Sequence, residues 1–211
     1  MRLIDVEKSC IVDGSTVKEY LSLSHVWGMA AQFMLTKDVV EDSTNEDFFR
    51  SLGIKIPQSI RDAMKVCRNI GVRHLWVDAL CIVQDDDEDK KDQIGLMDEI
   101  YGHALAVLIV AAGGGAGYGI PGIGEKKRAL ASYQETVDGK MLMTSLSTTT
   151  FSAKRSQWNT RARTYQEYLL SNRLLVFTDT YVFFQMLGIR VPRRRNASCS
   201  RATPIHANPV G

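Results

Sequence analysis

One stretch constrains this chain more than any other: Arg73-His-Leu-Trp-Val-Asp-Ala-Leu-Cys-Ile-Val-Gln-Asp-Asp-Asp-Glu88. Its first eleven residues are almost continuously apolar and rich in β-branched side chains, the pattern of a strand covered on both faces in an α/β protein. One carboxylate, Asp78, interrupts the run, and burying an unpartnered carboxylate costs several kcal/mol. Two readings of Asp78 stand. Either it lies towards the carboxyl end of a parallel strand, where open α/β sheets form their ligand crevices, or it is structural, paired with an arginine or accepting backbone amides. The closing cluster Asp85–Glu88 has the D-x-x-E spacing of a helix capping box. Hard cations also favour such oxygen clusters, but helix starts attract carboxylates without any ligand.

The flanking segments place this strand in a repeating pattern. Upstream, Pro57 suits a first helical residue, and Ile60, Met64, Cys67 and Ile70 recur at three- to four-residue spacing until Gly71, which predicts a helix. Downstream, a second helix to about Gly102 carries Ile94, Met97, Ile100 and Tyr101 inward. Then Ala104–Ala112 forms an all-apolar run of nine residues. This β-α-β alternation predicts two parallel strands lying side by side. Met1–Val6 and the alternating Val17–Ser24 add two more strands, the latter opening into a polar-aromatic loop, His25-Val-Trp-Gly28. Asp138-Gly139 between Ser132–Val137 and Lys140–Ser145 is a hairpin signal. A helix capped by Thr160 carries Leu169 and Leu170, and Leu174–Phe177 and Tyr181–Gln185 flank a Thr-Asp-Thr turn. The glycine-rich Gly117-Tyr-Gly119-Ile-Pro-Gly122 matches G-x-G-x-x-G only formally, because Pro121 and Gly124 argue for continued loop where a dinucleotide fingerprint turns into a helix. The expected fold class is α/β: a central, mostly parallel sheet flanked by helices, with antiparallel β-hairpins in the C-terminal half.

Composition narrows the function classes. With 211 residues and 45% hydrophobic content the chain can bury a sizeable core. Its net charge of +2 includes five arginines and no acid in residues 188–211; the remainder holds 21 basic against 24 acidic residues. Such a mildly acidic body argues against a nucleic-acid surface, and no apolar run is long enough to span a membrane. Residues 1–187 read as a single domain and 188–211 as a flexible basic tail. The four cysteines are widely spaced, without metal-ligand spacing, which fits reduced thiols in a cytoplasmic protein. Candidate site residues are Asp78; Ser24, His25, Trp27 and Gly28 in the loop after a strand; and Glu167, for which a solvated helix face with arginine partners is the alternative. Cys81 and Gln84 close the Asp78 block. Without a neighbouring base or cation Cys81 fits a small core thiol better than a nucleophile.

Set side by side, three blocks resemble the heterokaryon incompatibility (HET) domain of fungi: Tyr20-Leu-Ser-Leu-Ser-His-Val-Trp-Gly28; Ile56-Pro-Gln-Ser-Ile-Arg-Asp-Ala63 with Leu75–Asp85 and Met97-Asp-Glu-Ile-Tyr101; and Thr160-Arg-Ala-Arg-Thr-Tyr-Gln-Glu167 with Leu174–Phe177. His25 and Arg163 depart from the family, which usually carries an aromatic residue and a tryptophan there. The resemblance implies cell death triggered by recognition of non-self. Through the family's distant similarity to Toll/interleukin-receptor (TIR) domains, it further implies a nucleotide crevice and NAD as a candidate substrate rather than a permanently bound cofactor. On that basis Asp78 and Glu167 are the catalytic candidates, and Ser24, His25, Trp27, Gly28, Cys81 and Gln84 the binding candidates. A homo-oligomer or a signalling protein is the partner class implied, the alternative to an enzyme being a non-enzymatic module that self-associates or docks a partner.

Overall fold

The computed structural model describes residues 1–28, 33–129, 134–138, 140–143, 156–160 and 167–187. Arg163 and the tail from residue 188 lie outside them. A seven-stranded sheet organises the described chain. Its strands are β1 (Arg2–Asp5), β2 (Cys10–Asp13), β3 (Leu21–Ser24), β4 (His74–Trp76), β5 (Ala106–Val110), β8 (Arg173–Phe177) and β9 (Val182–Met186), in the spatial order β2-β1-β4-β3-β5-β8-β9. The four middle strands, β4, β3, β5 and β8, are parallel. Antiparallel strands extend both sides: β1 pairs with β4 and β2, and β9 with β8. A separate antiparallel hairpin joins β6 (Gln134–Val137) to β7 (Lys140–Met143) with Val137 opposite Lys140, the turn at Asp138 having φ 51°. The α/β class and the C-terminal hairpins are therefore as the sequence indicates.

Strand order is not. The segments containing β4 and β5 are parallel, but β3 lies between them. Both neighbours of β3 are apolar, so pairing β4 directly with β5 would have left β3, whose four residues are all buried, without a place in the interior. The strand from Arg73 is also shorter than its composition suggests. It ends at Trp76, and Asp78–Cys81 forms a single helical turn, α3. The run is apolar because strand and turn are both buried, and burial alone does not distinguish the two conformations. Likewise only Leu21–Ser24 of Val17–Ser24 is strand, and β2, four residues long, had no periodicity to reveal it.

Helix α1 (Phe48–Leu52) precedes α2 (Gln58–Asn69), which Pro57 caps from outside and Gly71, at φ 78°, terminates. Ile60, Met64 and Cys67 are buried as expected, while Ile70 is exposed. The second predicted helix is two, α4 (Asp87–Gly95) and α5 (Met97–His103), broken at Leu96. Ile100 and Tyr101 face inward; Ile94, on the far side of the break, is half exposed. The N-cap of α4 is Asp86 rather than Asp85: its carboxylate accepts the amides of Glu88 and Asp89 and pairs with Lys37 at 3.3 Å. Those amides and Lys37 hold the Asp86 carboxyl below the usual carboxylate range. Asp85 instead accepts the Lys37 amide at 2.9 Å. Asp89 receives the Arg2 guanidinium bidentately, at 3.0 and 3.1 Å, and the Val83 amide at 2.8 Å. Asp85 and Asp86 of the cluster thus act as structural acceptors beside Lys37, and Asp89, just beyond it, ties α4 to Arg2 of β1.

Candidate functional site

The order of the parallel strands positions the site. From β3 the chain moves one way to β4, crosses back over to β5, and continues the other way to β8. The direction reverses between β3 and β5, and the crevice outside the carboxyl ends of two such strands is where open α/β sheets take their ligands. Here the segment Ser24–Gly28 leaves β3 and the glycine-rich loop from Gly113 leaves β5. The two run in contact: the Ala116 amide donates to the Trp27 carbonyl at 3.3 Å. A Cβ on Gly28, whose φ is 78°, would stand 3.1 Å from the Gly115 Cα. Both backbone conformation and close approach call for glycine at residue 28.

The β3 exit holds an acid from each side. Ser24, at the end of β3, donates its hydroxyl to Glu167 Oε2 and accepts the Trp158 indole N–H at 2.7 Å. This forms a directed chain, Trp158 Nε1–H to Ser24 Oγ–H to Glu167. Trp158 lies in a short 3₁₀ turn (Gln157–Thr160), and Glu167 is helical, as are the described residues 168–170 after it. All three are buried, Glu167 only 5% exposed, so the alternative of a solvated helix face at Glu167 gives way to a buried polar cluster. Three residues after Ser24, the Trp27 indole N–H donates to the Asp78 carboxylate, 3.1 and 3.2 Å from its two oxygens. Asp78 Oδ1 also accepts the Ala79 amide at 2.8 Å. The arginine considered for Asp78 goes elsewhere: Arg73 binds Asp5, with Nη2 2.7 Å from Oδ2. Asp78 stands at the first position of α3, two residues beyond β4, and is 8% exposed.

The remaining candidates occupy different surroundings. His25 is buried beside Ser24. Gln84 donates its side-chain amide to the carbonyls of Asp78 and Ile82, at 2.9 and 3.1 Å, and so fastens the exit from α3. Cys81 is wholly buried, its sulfur accepting the Val77 amide at 3.4 Å. Burial pushes its thiol up to about 12, so at neutral pH it is a protonated group inside the core. Trp158 escaped sequence reasoning. Its only local signal is a single large apolar residue inside the polar run Ser156-Gln-Trp-Asn-Thr160, and its partner is 134 residues away.

A parallel α/β core whose β3 exit engages two buried carboxylates, Glu167 through Ser24 and Asp78 through Trp27, beside the strand-order reversal defines an open-sheet α/β protein. The family model for Heterokaryon incompatibility protein (HET) matches residues 20–167, more than half of the chain, and the chain belongs to that family. The match begins one residue before β3 and ends at Glu167, so it encloses every residue of the cluster. The chain is also 28% identical over 126 residues to Heterokaryon incompatibility protein 6, OR allele, of Neurospora crassa, an alignment covering 52% of this chain and 18% of that relative. The chain thus spans less than a fifth of that relative's length. No solved structure matches it significantly. No helix among the described residues is long and apolar enough to cross a membrane.

Proposed function

We propose that this chain is a HET-type module that induces cell death on recognition of non-self, and that it does so by cleaving nicotinamide from NAD at the β3 exit. One observation carries the reading: a single five-residue segment, Ser24–Gly28, binds one buried carboxylate through Ser24 and another through Trp27. A glycosidic cleavage needs this type of group. As the ribose C1′–N bond breaks, its electron pair leaves with neutral nicotinamide and positive charge develops on the ribose. Water then adds to C1′ and releases a proton. A carboxylate near C1′ stabilises the developing charge and a second can hold ribose hydroxyls or accept the proton. In this reading Asp78 and Glu167 fill those roles, Trp27 supplies an aromatic face for a base, and Ser24 with Trp158 holds Glu167 in orientation. The family membership and the name of the Neurospora relative support the biological role; the choice of NAD is carried over by analogy from the TIR domains that the HET resemblance brings in.

The test is nicotinamide release by the purified chain at several protein concentrations, with Asp78→Asn and Glu167→Gln alongside. Each substitution is expected to lower the rate by about 10²-fold, the usual cost of removing one preorganised electrostatic group. Release by wild type no faster than by both variants at every concentration overturns the hydrolase reading.

A non-enzymatic module acting by self-association or partner docking is the second reading. It is favoured by the edge strand β9, where Phe184 and Met186, on one face, are 57% and 66% exposed. Under this reading the NAD assay is silent, while the chain sediments as an oligomer that Phe184→Lys disperses.

A further inference from the structure

The glycine-rich loop, set aside as a dinucleotide fingerprint, forms one wall of a cavity of about 500 Å³ whose other wall is α2. This volume is within the range of small-molecule sites, and the cavity shares no residue with the Asp78–Glu167 cluster. Its charged lining comes from two separate segments: Arg61, Asp62 and Lys65 from α2, and Glu125 and Lys126 from the loop. The acids differ in what they leave available. Asp62 is buried and fully engaged, Oδ1 accepting Gln58 Nε2 at 2.8 Å and Lys65 Nζ at 3.1 Å and Oδ2 accepting the Ile120 amide at 3.0 Å. It pins the loop to α2 and neutralises Lys65. Glu125 is exposed. Arg61 and Lys126 therefore face one exposed acid, leaving a net positive lining.

The two cations are also held in unusual states. Arg61 donates one Nη to Gln58 Oε1, but its Nε–H is buried and donates to nothing among the described residues. Buried donors are nearly always paired, and a charged one is costly to leave unmade. The Lys126 ammonium sits over the Tyr118 ring, 2.9 Å from its centroid, and Tyr118 is itself fixed by donating its hydroxyl to Asp179 at 2.6 Å. Lys126 is thus parked on an aromatic face with hydrogen-bonding capacity to spare. Gln58, in the first turn of α2, lines the same cavity, and no side chain caps that helix end.

We propose that this cavity binds a small anion of the phosphate or diphosphate class, gripped by Arg61 from α2 and Lys126 from the glycine-rich loop. Phosphate oxygens suit both partners: a planar guanidinium edge with a vacant N–H and a mobile ammonium as a point charge. The loop then does bind phosphate, by its lysine and the helix behind it rather than by a dinucleotide turn.

The probe is inorganic pyrophosphate, titrated calorimetrically into the full chain at constant ionic strength set with sodium chloride, since screening alone would otherwise alter the signal. Wild type is expected to bind it saturably with one site lost in common by Arg61→Ala and Lys126→Ala, each weakening affinity about tenfold or more, as loss of a charge-assisted hydrogen bond requires. Asp78→Asn and Glu167→Gln should leave that affinity unchanged, which separates this site from the proposed NAD crevice. Should Arg61→Ala prove poorly folded by circular dichroism, Lys126→Ala decides alone, because Lys126 is on the surface. Unsaturable binding by wild type, or affinity indifferent to Lys126→Ala, refutes the site. So does a dependence on Asp78 and Glu167 in place of Arg61 and Lys126.

Discussion

The Trp27–Asp78 contact can be weighed directly by a double-mutant cycle. Trp27→Phe keeps most of the ring and removes the indole N–H that both Asp78 oxygens share. A hydrogen bond to a charged group is worth about 1.5–3 kcal/mol net, and Asp78, 8% exposed, cannot recover all of it from water. Asp78→Ala also strips the Ala79 amide of its acceptor, so it should cost more, about 3 kcal/mol, much of it from donors left unmet in a buried turn. Once Asp78 is gone the indole N–H has nothing to donate to there. Adding Trp27→Phe then costs little, and the coupling energy between the two sites should be about 1–2 kcal/mol. Urea unfolding of the four proteins reads this as midpoint shifts at constant slope. A coupling below about 0.5 kcal/mol would refute the reasoning: the contact would be incidental, and the β3 exit would not be anchored to α3.

Two further outcomes follow from other buried groups. Burial alone would raise the carboxyl of Asp5, but the Arg73 guanidinium and the amides of Lys8 and Glu7 outweigh it and hold it below its usual value. Its stabilising contribution is therefore complete above the unfolded value of about 3.9 and is lost as pH falls through the lower folded value. Asp5→Asn should destabilise by about 2–3 kcal/mol at neutral pH, with the gap to wild type closing only below about pH 4; a gap that widens on acidification, in urea melts from pH 3 to 7, contradicts the pairing. Burial pushes the thiols of Cys67 and Cys81 up to about 12. In a Cys199→Ser background, iodoacetamide at pH 8 should label neither residue until urea unfolds the chain, and prompt native labelling of Cys81, mapped by mass spectrometry, would place it at a reactive surface instead.

Local signals were faithful where one covalent neighbourhood decided the outcome. Ile60, Met64 and Cys67 at helical spacing, with Pro57 before and Gly71 after, describe α2 as found. Asp138-Gly139 and Thr178-Asp179-Thr180 mark their hairpins because turn chemistry needs only adjacent residues. The signals failed where the deciding contact was distant. Asp86 rather than Asp85 caps α4 because Lys37, from another segment, draws both acids into place. Ile94 follows the helical pattern yet is half exposed, since the break at Leu96 turns α4 away from the core.

The stretch from Arg73 to Glu88 divides the same way. Its amino acids alone establish that it is buried, that Asp78 needs donors there, and that an acid-rich helix start follows, because these are consequences of transfer free energy and helix-end chemistry. They also carry one of the family's motif blocks, and with it Asp78, but not the Trp27, Ser24, Trp158 and Glu167 that meet at the β3 exit. That Trp76 ends the strand, that β3 slips between β4 and β5, and that Ser24 meets Glu167 143 residues later were decided only in three dimensions. Strand order and side-chain pairing at the crevice depend on which apolar faces cover one another across the whole sheet, a non-local balance that no periodicity records.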